Sequence, residues 1–172
     1  ANPGDEPAAV TITYLLPDGS SVVRARQIAP QSRYTVWVDG EDPRLAATSV
    51  STVVRSTNGV PILVERAMWW PGPFPTWTEA HVAAGVTRAA TRWALAEGEA
   101  GGPDATATYI VAANLSDSAA TVRVTLVFEE GGQARRQFAM AARSRLTVEA
   151  HTSFPEAAGR RFAALVESVG PT

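Results

Sequence analysis

Short runs of alternating hydrophobic and polar residues, each closed by a turn signal, dominate the chain. Residues 10–16 alternate with period two and are rich in β-branched side chains, which favours a half-buried strand. Pro17-Asp18-Gly19 then predicts a turn. Because no long helical period interrupts the pattern, it favours an all-β fold, an antiparallel β-sandwich. The further predicted strands are 21–28, 33–38, 50–56, 60–70, 92–96, 106–112, 122–128, 134–140, 146–150 and 162–168.

Two local signals add detail to this pattern. Residues 42–47 suggest one helical turn, with Pro43 at the first helical position. Asn58-Gly59 is a strong signal for a two-residue hairpin, because both residues accept positive φ. Residues 60–70 would then be the return strand of that hairpin. The proline-rich segment 71–75 would end it, because proline cannot donate to a strand ladder.

The chain also contains an internal repeat. Residues 1–60 align with residues 113–172 without a gap, so that Asn2 matches Asn114 and Ser56 matches Ser168, 112 positions later. The apolar positions match in phase as well. A period of this length fits a whole small domain better than a solenoid unit, since solenoid repeats run about 20 to 50 residues.

The repeat predicts two tandem immunoglobulin-like β-sandwich units, with the chain out of phase with the period. We expect unit 1 over residues 1–78, a linker over 79–90 and unit 2 over 91–172. Unit 1 would lack its first strands and unit 2 its last strand. The missing strands would lie in a longer tandem array or come from a neighbouring molecule by strand addition. The strands expected to be donated or accepted are 61–70 and 106–112.

Composition narrows the functional classes. The net charge of −2 gives no electrostatic case for nucleic acid or an anionic membrane. The absence of cysteine excludes disulfides and thiolate metal sites. No apolar run approaches the roughly 18 to 20 residues that span a bilayer. We therefore expect no nucleic acid partner and no membrane insertion.

Several segments, spread over almost the whole chain, resemble a family of tandem repeats in large secreted bacterial surface proteins. These segments are residues 32–38, 56–70, 93–98 and 109–114. The resemblance implies an extracellular or cell-surface location and a structural or adhesive role, and it implies no reaction. The second copy departs from the first at Glu149-Ala150-His151, where the first has Trp37-Val38-Asp39, so an aromatic role at Trp37 is not shared by both units.

Aromatic residues supply the main candidate binding surface. Planar rings on a proline-rich segment can stack on sugars, or they can pack between domains, where large aromatics dominate burial. We expect domain packing, and keep glycan stacking as the alternative. The residues in this set are Trp69, Trp70, Phe74, Trp77 and Trp93.

Charged candidates are few. Glu65 and Arg66 are neighbours on a predicted strand and point to opposite faces, so they cannot form one acid–base pair without a bend. We expect each to make a structural ion pair with a charge on another strand, or to face the next domain. His81 and His151 lack the three ligands that zinc needs. Residues 39–42 could suggest calcium, but the second copy has no carboxylate there, so we interpret them as a solvated turn.

The sequence predicts no catalytic constellation, no metal site and no cofactor, so we expect a protein that is not an enzyme. Our first hypothesis is a structural or adhesive module of a bacterial surface or filament protein, which assembles by domain stacking or strand complementation. Its partners would be neighbouring repeats or other subunits of a surface assembly. The alternative is a carbohydrate-binding module that uses the Trp/Phe platform.

Overall fold

The computed structural model describes residues 1–71 and 77–170 and is mostly β-strand, which confirms the predicted all-β class. Its sheets are antiparallel wherever the strand register is defined. Within these residues, one four-residue helix, α1 (Ala150–Ser153), and three 3-10 turns (Val38–Gly40, Pro43–Leu45 and Pro155–Ala157) accompany the strands. The strands are β1 (Ala8–Leu15), β2 (Ser21–Ile28), β3 (Ser51–Ser56), β4 (Glu65–Pro71), β5 (Trp77–Ala84), β6 (Arg92–Ala100), β7 (Tyr109–Ala113), β8 (Ala120–Phe128), β9 (Gln133–Met140), β10 (Arg145–Glu149) and β11 (Arg160–Ser168).

The chain divides into two compact units. Unit 1 comprises residues 1–13, 22–46 and 52–89, and unit 2 comprises residues 14–21, 47–51 and 90–172. In the part of the chain that is described, no helix is long and apolar enough to cross a membrane.

Unit 2 contains a four-stranded sheet in the order β6-β11-β8-β9 and a two-stranded sheet of β7 and β10. Side chains from both sheets form one buried cluster, in which Ile110 of β7 and Val148 of β10 meet the β8 residues Val124 and Leu126. Strand β8 is buried at alternate positions over most of its length, as expected for a strand with one face on a core. Phe128 and Phe162 extend this core with an edge-to-face contact, their ring centroids 6.5 Å apart.

Gly98 allows strand β6 to pack closely against its neighbour β11. A Cβ built on Gly98 would overlap the ring of Phe162 on β11, so only glycine leaves room for that ring. The register between the two strands shifts between Phe162 and Ala164. The ring of buried Phe162 is thus accommodated by a missing side chain together with a local irregularity in the ladder.

Unit 1 contains a three-stranded sheet in the order β2-β1-β3 and a separate antiparallel pair of β4 and β5. Alternate residues of β1 are buried, including Val10 and Ile12, and Val22 of β2 and Leu45 join them in the core. Leu45 is carried by the 3-10 turn Pro43–Leu45, which confirms the helical turn predicted there. The side chain of Asp42 caps this turn by accepting from the backbone N–H of Arg44.

A buried asparagine organises the same loop in both units. In unit 2, Asn114 Nδ2 donates to the carbonyl oxygens of Ser118 at 2.8 Å and Ala141 at 2.9 Å, and its Oδ1 accepts from Ser116 N at 3.1 Å. In unit 1, Asn2 makes the equivalent bonds to residues at the same offset of 112: Glu6 O, Ala29 O and Gly4 N.

The loop facing this asparagine repeats as well. Arg143 has a positive φ of 52° and donates from Nε to Asp117 Oδ1 at 2.7 Å. Its counterpart Gln31 has a φ of 48° and donates from Nε2 to Asp5 Oδ1, also at 2.7 Å. The Arg143 guanidinium lowers the pKa of Asp117. The two loops therefore share a backbone conformation although one contact is ionic and the other is not.

The hairpin predicted at Asn58-Gly59 was wrong. Strand β3 pairs with β1, whereas β4 begins only at Glu65 and pairs with β5. Asn58 instead bonds to the start of the first sheet: its Oδ1 accepts from Ala9 N at 3.1 Å, and its Nδ2 donates to Pro7 O at 2.8 Å. A side-chain amide that mimics a strand partner thus replaces the expected turn.

Two further predictions were wrong. Residues 33–37 form no strand, although their counterparts at the 112-residue offset form β10. Strand β10 pairs with β7, whereas among the described residues no strand pairs with residues 33–37. The predicted linker over 79–90 also failed for its first half, because β5 continues to Ala84. Strand β5 pairs with β4 from Trp77 to Ala84.

Candidate functional site

Strands β4 and β5 carry part of the aromatic surface that was predicted from the sequence as a candidate binding surface. Trp69 lies opposite Ala80, and Ala67 lies opposite Val82. Paired residues of antiparallel strands point to the same face, so these four side chains share one face. On it, Trp69 is 55% and Val82 64% exposed. The residue opposite Trp69 is alanine, whose small side chain leaves about half of the indole exposed.

The other members of the aromatic set are divided along the chain. The backbone of Trp70 lies in β4 opposite Glu79, and that of Trp77 lies in β5 opposite Pro71. Phe74 and the side chains of residues 70–79 lie outside the described part of the structure. Trp93 lies on β6 in unit 2, 40% exposed, and its Nε1 donates to Ala90 O at 3.1 Å. The set predicted as one surface therefore includes residues from both units.

Glu65 and Arg66 lie opposite Ala84 and Ala83. Alternation places them on opposite faces of β4, as expected for neighbours on a strand. Among the side chains that are described, none forms an ion pair with either residue. The partners expected for them are therefore absent from the described part of unit 1.

Among the described side chains, the largest cluster of paired charges was not predicted from the sequence. It lies where β2 meets the 3-10 turns: Arg24 contacts Asp42 at 2.9 Å, Arg26 contacts Glu41 at 2.8 Å, and Arg44 contacts Asp42 at 2.9 Å. The alternation of arginines on β2 was the available signal, since Arg24 and Arg26 point to the same face. Asp42 and Glu41, which could have suggested calcium, are thus occupied by guanidinium groups.

Hydrogen bonds fix the charge state of Asp42. The side chain of Arg44 contributes most, followed by its backbone N–H and then by the Arg24 guanidinium, and together they hold the pKa of Asp42 well below its usual range. The residue at the same repeat position in unit 2 is Phe154, which is fully buried and lies under the guanidinium of Arg136. Arg24 of β2 and Arg136 of β9 occupy equivalent repeat positions. Arg24 contacts this position through the Asp42 carboxylate, and Arg136 contacts it through the face of the Phe154 ring.

Acidification should weaken unit 1 through Asp42. A carboxyl group whose pKa is lower in the folded than in the unfolded state stabilises the fold at pH values above the unfolded-state pKa, which is about 3.9 for aspartate. This stabilisation is lost as the pH falls towards and through the folded-state pKa. We expect Asp42→Asn to lower the melting temperature of unit 1 at pH 6, and the difference from the unchanged protein to shrink below about pH 4. Thermal melting at a series of pH values measures it. Asp39→Asn, which removes an exposed carboxylate, is the control, and a pH-independent effect of Asp42→Asn would contradict the prediction.

The two histidines lie in separate places. His81 lies on β5 opposite Met68, and His151 Nε2 lies 3.6 Å from Glu149 Oε1 at the start of α1. Bonds from the hydroxyls of Thr152 and Tyr109, and then the nearby His151, lower the pKa of Glu149. Within residues 1–71 and 77–170, no group of three or more acidic, histidine or cysteine side chains could hold a metal ion.

Comparisons with known proteins add little to this geometry. No protein-family model matches the chain, and no curated protein matches it. A solved structure, the Anabaena sensory rhodopsin transducer, is similar at 22% sequence identity over 51% of this chain and 94% of its own, with a TM-score of 0.40. A similarity at that level carries no argument about function.

Proposed function

We propose that the chain is a non-enzymatic structural or adhesive repeat module of an extracellular bacterial surface or filament protein. In this proposal the two units are tandem immunoglobulin-like sandwiches, out of phase with a repeat of 112 residues. The observation that carries it is the shared asparagine loop, in which Asn2 and Asn114 bond to residues at one constant offset. Serial copies of one small domain suit a protein whose work is to extend or connect, because neighbouring copies supply its interfaces.

The mechanism we propose is mechanical. Neighbouring repeats or other subunits would pack on the exposed apolar face of β4 and β5, where Trp69 and Val82 lie open. Large aromatic side chains contribute much of the energy in such interfaces and limit the angles that neighbours can adopt. Strand complementation between repeats would add backbone hydrogen bonds to this packing.

The decisive experiment locates the natural protein and measures its mass. We expect protease shaving of intact cells, or the culture medium, to yield peptides of this chain. We also expect the intact mass to lie far above the 18.2 kDa of this sequence, with further copies of the repeat in the parent. A cytosolic protease-protected enzyme is the control for cell integrity. Recovery of the protein only from the cytosol would overturn the proposal.

A carbohydrate-binding module is the second candidate, favoured by the open face around Trp69. Indole rings with one free side stack on the apolar faces of sugars. If it holds, a glycan panel should change tryptophan fluorescence, and Trp69→Ala should abolish the change. Trp37→Ala, which removes an indole that is 77% exposed elsewhere in unit 1, should leave it intact. If no glycan changes the fluorescence, the structural proposal stands alone.

A further inference from the structure

The residue that follows each asparagine decides whether the asparagine side chain can react with the backbone. The chain contains three asparagines, which are followed by Pro3, Gly59 and Leu115. An asparagine loses ammonia when the next backbone nitrogen attacks its side-chain carbonyl carbon and closes a succinimide ring. Proline has no N–H to give up, and the leucine side chain crowds the attacking nitrogen, whereas glycine has no side chain. Asn58 is therefore the asparagine whose neighbour leaves this reaction open.

The backbone of Gly59 leaves its nitrogen available for the attack. Its φ of 78° lies in the left-handed region, which glycine adopts without strain. Among the described hydrogen bonds, none uses the Gly59 N–H as a donor. The nitrogen therefore does not have to give up a bond of the fold before it reaches the Asn58 side chain.

The fold supplies hydrogen-bond donors to the carbonyl group that is attacked. Asn58 Oδ1 accepts from Ala9 N at 3.1 Å and from Ser56 Oγ at 3.4 Å. Attack on the carbonyl carbon turns this oxygen into an oxyanion, and donors already aimed at it stabilise the charge as it develops. The longer Ser56 contact should tighten in that state, because hydrogen bonds to an ionised acceptor are shorter.

The nitrogen that leaves is part of the packing of unit 1. Asn58 Nδ2 donates to Pro7 O at 2.8 Å, and the preceding residue, Thr57, donates from its backbone N to Ala9 O, also at 2.8 Å. These bonds join the entry of β1 to the end of β3. Loss of the side-chain nitrogen therefore removes one of the bonds that hold the two strands together at this end.

We propose that Asn58 is a site of spontaneous deamidation in the folded protein, and that the reaction loosens the entry of β1 from the end of β3. A bond forms between Gly59 N and Asn58 Cγ, and the bond between Cγ and Nδ2 breaks. Nδ2 leaves as ammonia with the proton that Gly59 N gives up. Water then opens the ring at either of its carbonyls, which leaves aspartate or isoaspartate. The inference does not depend on the proposed function.

Both products weaken the junction of the two strands. An aspartate carboxylate only accepts hydrogen bonds, so it would lie against Pro7 O without a hydrogen to donate. An isoaspartate would route the backbone through the former side chain and add a methylene group between Thr57 and Gly59, which shifts Thr57 away from Ala9. Unit 2 has no such site, because Gly170 stands at the same repeat position. The change is therefore confined to unit 1 and is irreversible.

The first test follows ammonia loss in the full chain during incubation at neutral and at mildly alkaline pH. Peptide mass mapping locates the modified residue, and an isoaspartate methyltransferase labels the isoaspartate product. We expect modification at Asn58, faster at the higher pH because Gly59 N must lose its proton, and none at Asn2 or Asn114 over the same period. An unmodified Asn58 in the folded chain, while a synthetic peptide of residues 52–63 deamidates, would overturn the proposal.

A pair of variants tests whether the fold contributes to the reaction. Ser56→Ala removes a donor to Asn58 Oδ1 and should slow deamidation of the folded chain by about threefold or more. Thr57→Val is the matched control, because the Thr57 hydroxyl bonds to Ala9 O and not to the carboxamide, and it should leave the rate unchanged. In the peptide, Ser56→Ala should have no effect. Equal rates for Ser56→Ala and the unchanged folded chain would refute the role of the donors.

The structural consequence has its own readout. Asn58→Asp reproduces one product in a uniform sample, and aged protein contains both. In each case we expect amide hydrogen exchange at Thr57 to become faster by about tenfold, since a strand-end bond is weakened, while exchange in β8 of unit 2 stays the same. Unchanged exchange at Thr57 in both samples would show that the modification does not loosen the strands.

Discussion

Replacement of Phe154 by alanine is expected to lower the free energy of unfolding of unit 2 by about 3–5 kcal/mol. The side chain is fully buried, its ring centroid lies 6.4 Å from that of Phe138, and the Arg136 guanidinium covers it at 5.4 Å. Truncation would remove this contact area and leave a cavity at the junction of α1 and the following 3-10 turn. Amide exchange in β8 and β11, which reports unit 2 alone, measures the change in the presence of increasing urea.

Phe154→Leu is the matched control for this core position. It keeps most of the apolar volume, so we expect a loss of less than about 1.5 kcal/mol. The equivalent residue of unit 1 is Asp42, so Phe154→Asp asks whether the two versions of the position are interchangeable. We expect that variant to unfold unit 2, because Glu156 stands where unit 1 has Arg44, the residue that contributes most to holding Asp42 ionised. A stable Phe154→Asp variant, or Phe154→Ala within 1 kcal/mol of the unchanged protein, roughly the experimental resolution, would contradict this account.

Replacement of Asn114 by alanine is expected to cost about 3 kcal/mol. The asparagine is 9% exposed and satisfies three backbone groups at once: the carbonyls of Ser118 and Ala141 and the N–H of Ser116. Alanine would remove the acceptor of the Ser116 N–H, and a buried polar group without a partner costs about 1–3 kcal/mol. The carbonyls of Ser118 and Ala141 would each lose one donor but would still accept from the hydroxyls of Ser116 and Ser144. Urea unfolding, followed by amide exchange in β8 and β9, measures the effect on unit 2.

Two variants make the asparagine prediction specific. Ser118→Ala keeps the backbone carbonyl that Asn114 binds and should change stability by less than about 0.5 kcal/mol. Asn2→Ala removes the equivalent bonds in unit 1, where the side chain is 1% exposed, and should destabilise that unit while leaving unit 2 unchanged. If Asn114→Ala were neutral, the repeated asparagine loop would lose its role as the organising contact.

The strand predictions succeeded where a strand's own alternation was strong. Residues 21–28 form β2 as predicted, and the period-two pattern at residues 10–16 lies within β1 apart from Leu16. Alternation reports burial on one face, and that property is written locally in the chain. The same logic located most strands of unit 2, because each has a partner within that unit.

The failures share one cause, which is that a strand also needs a partner. Residues 33–38 carry the same signal as their copy in β10, yet they form no strand. Residues 77–84, with little strand signal and an adjacent proline-rich segment, pair with β4. Propensity measures how well a residue fits a pleated surface, and it does not identify the chain that lies alongside. The same limit applies to the candidate sites. The aromatic residues were identified from the sequence, but their distribution between the two units was not predicted.

By itself, the sequence determined the all-β class, the 112-residue repeat and the buried alternation of β1 and β8, because each depends on residue type and spacing. The tertiary structure decided which strands pair, and it turned Asn58 from a hairpin residue into a bond to the start of β1. It also brought Arg24, Arg44 and Asp42 together. Hydrogen-bond partners and ion pairs join residues far apart along the chain, and local pattern carries no information about which distant groups will meet.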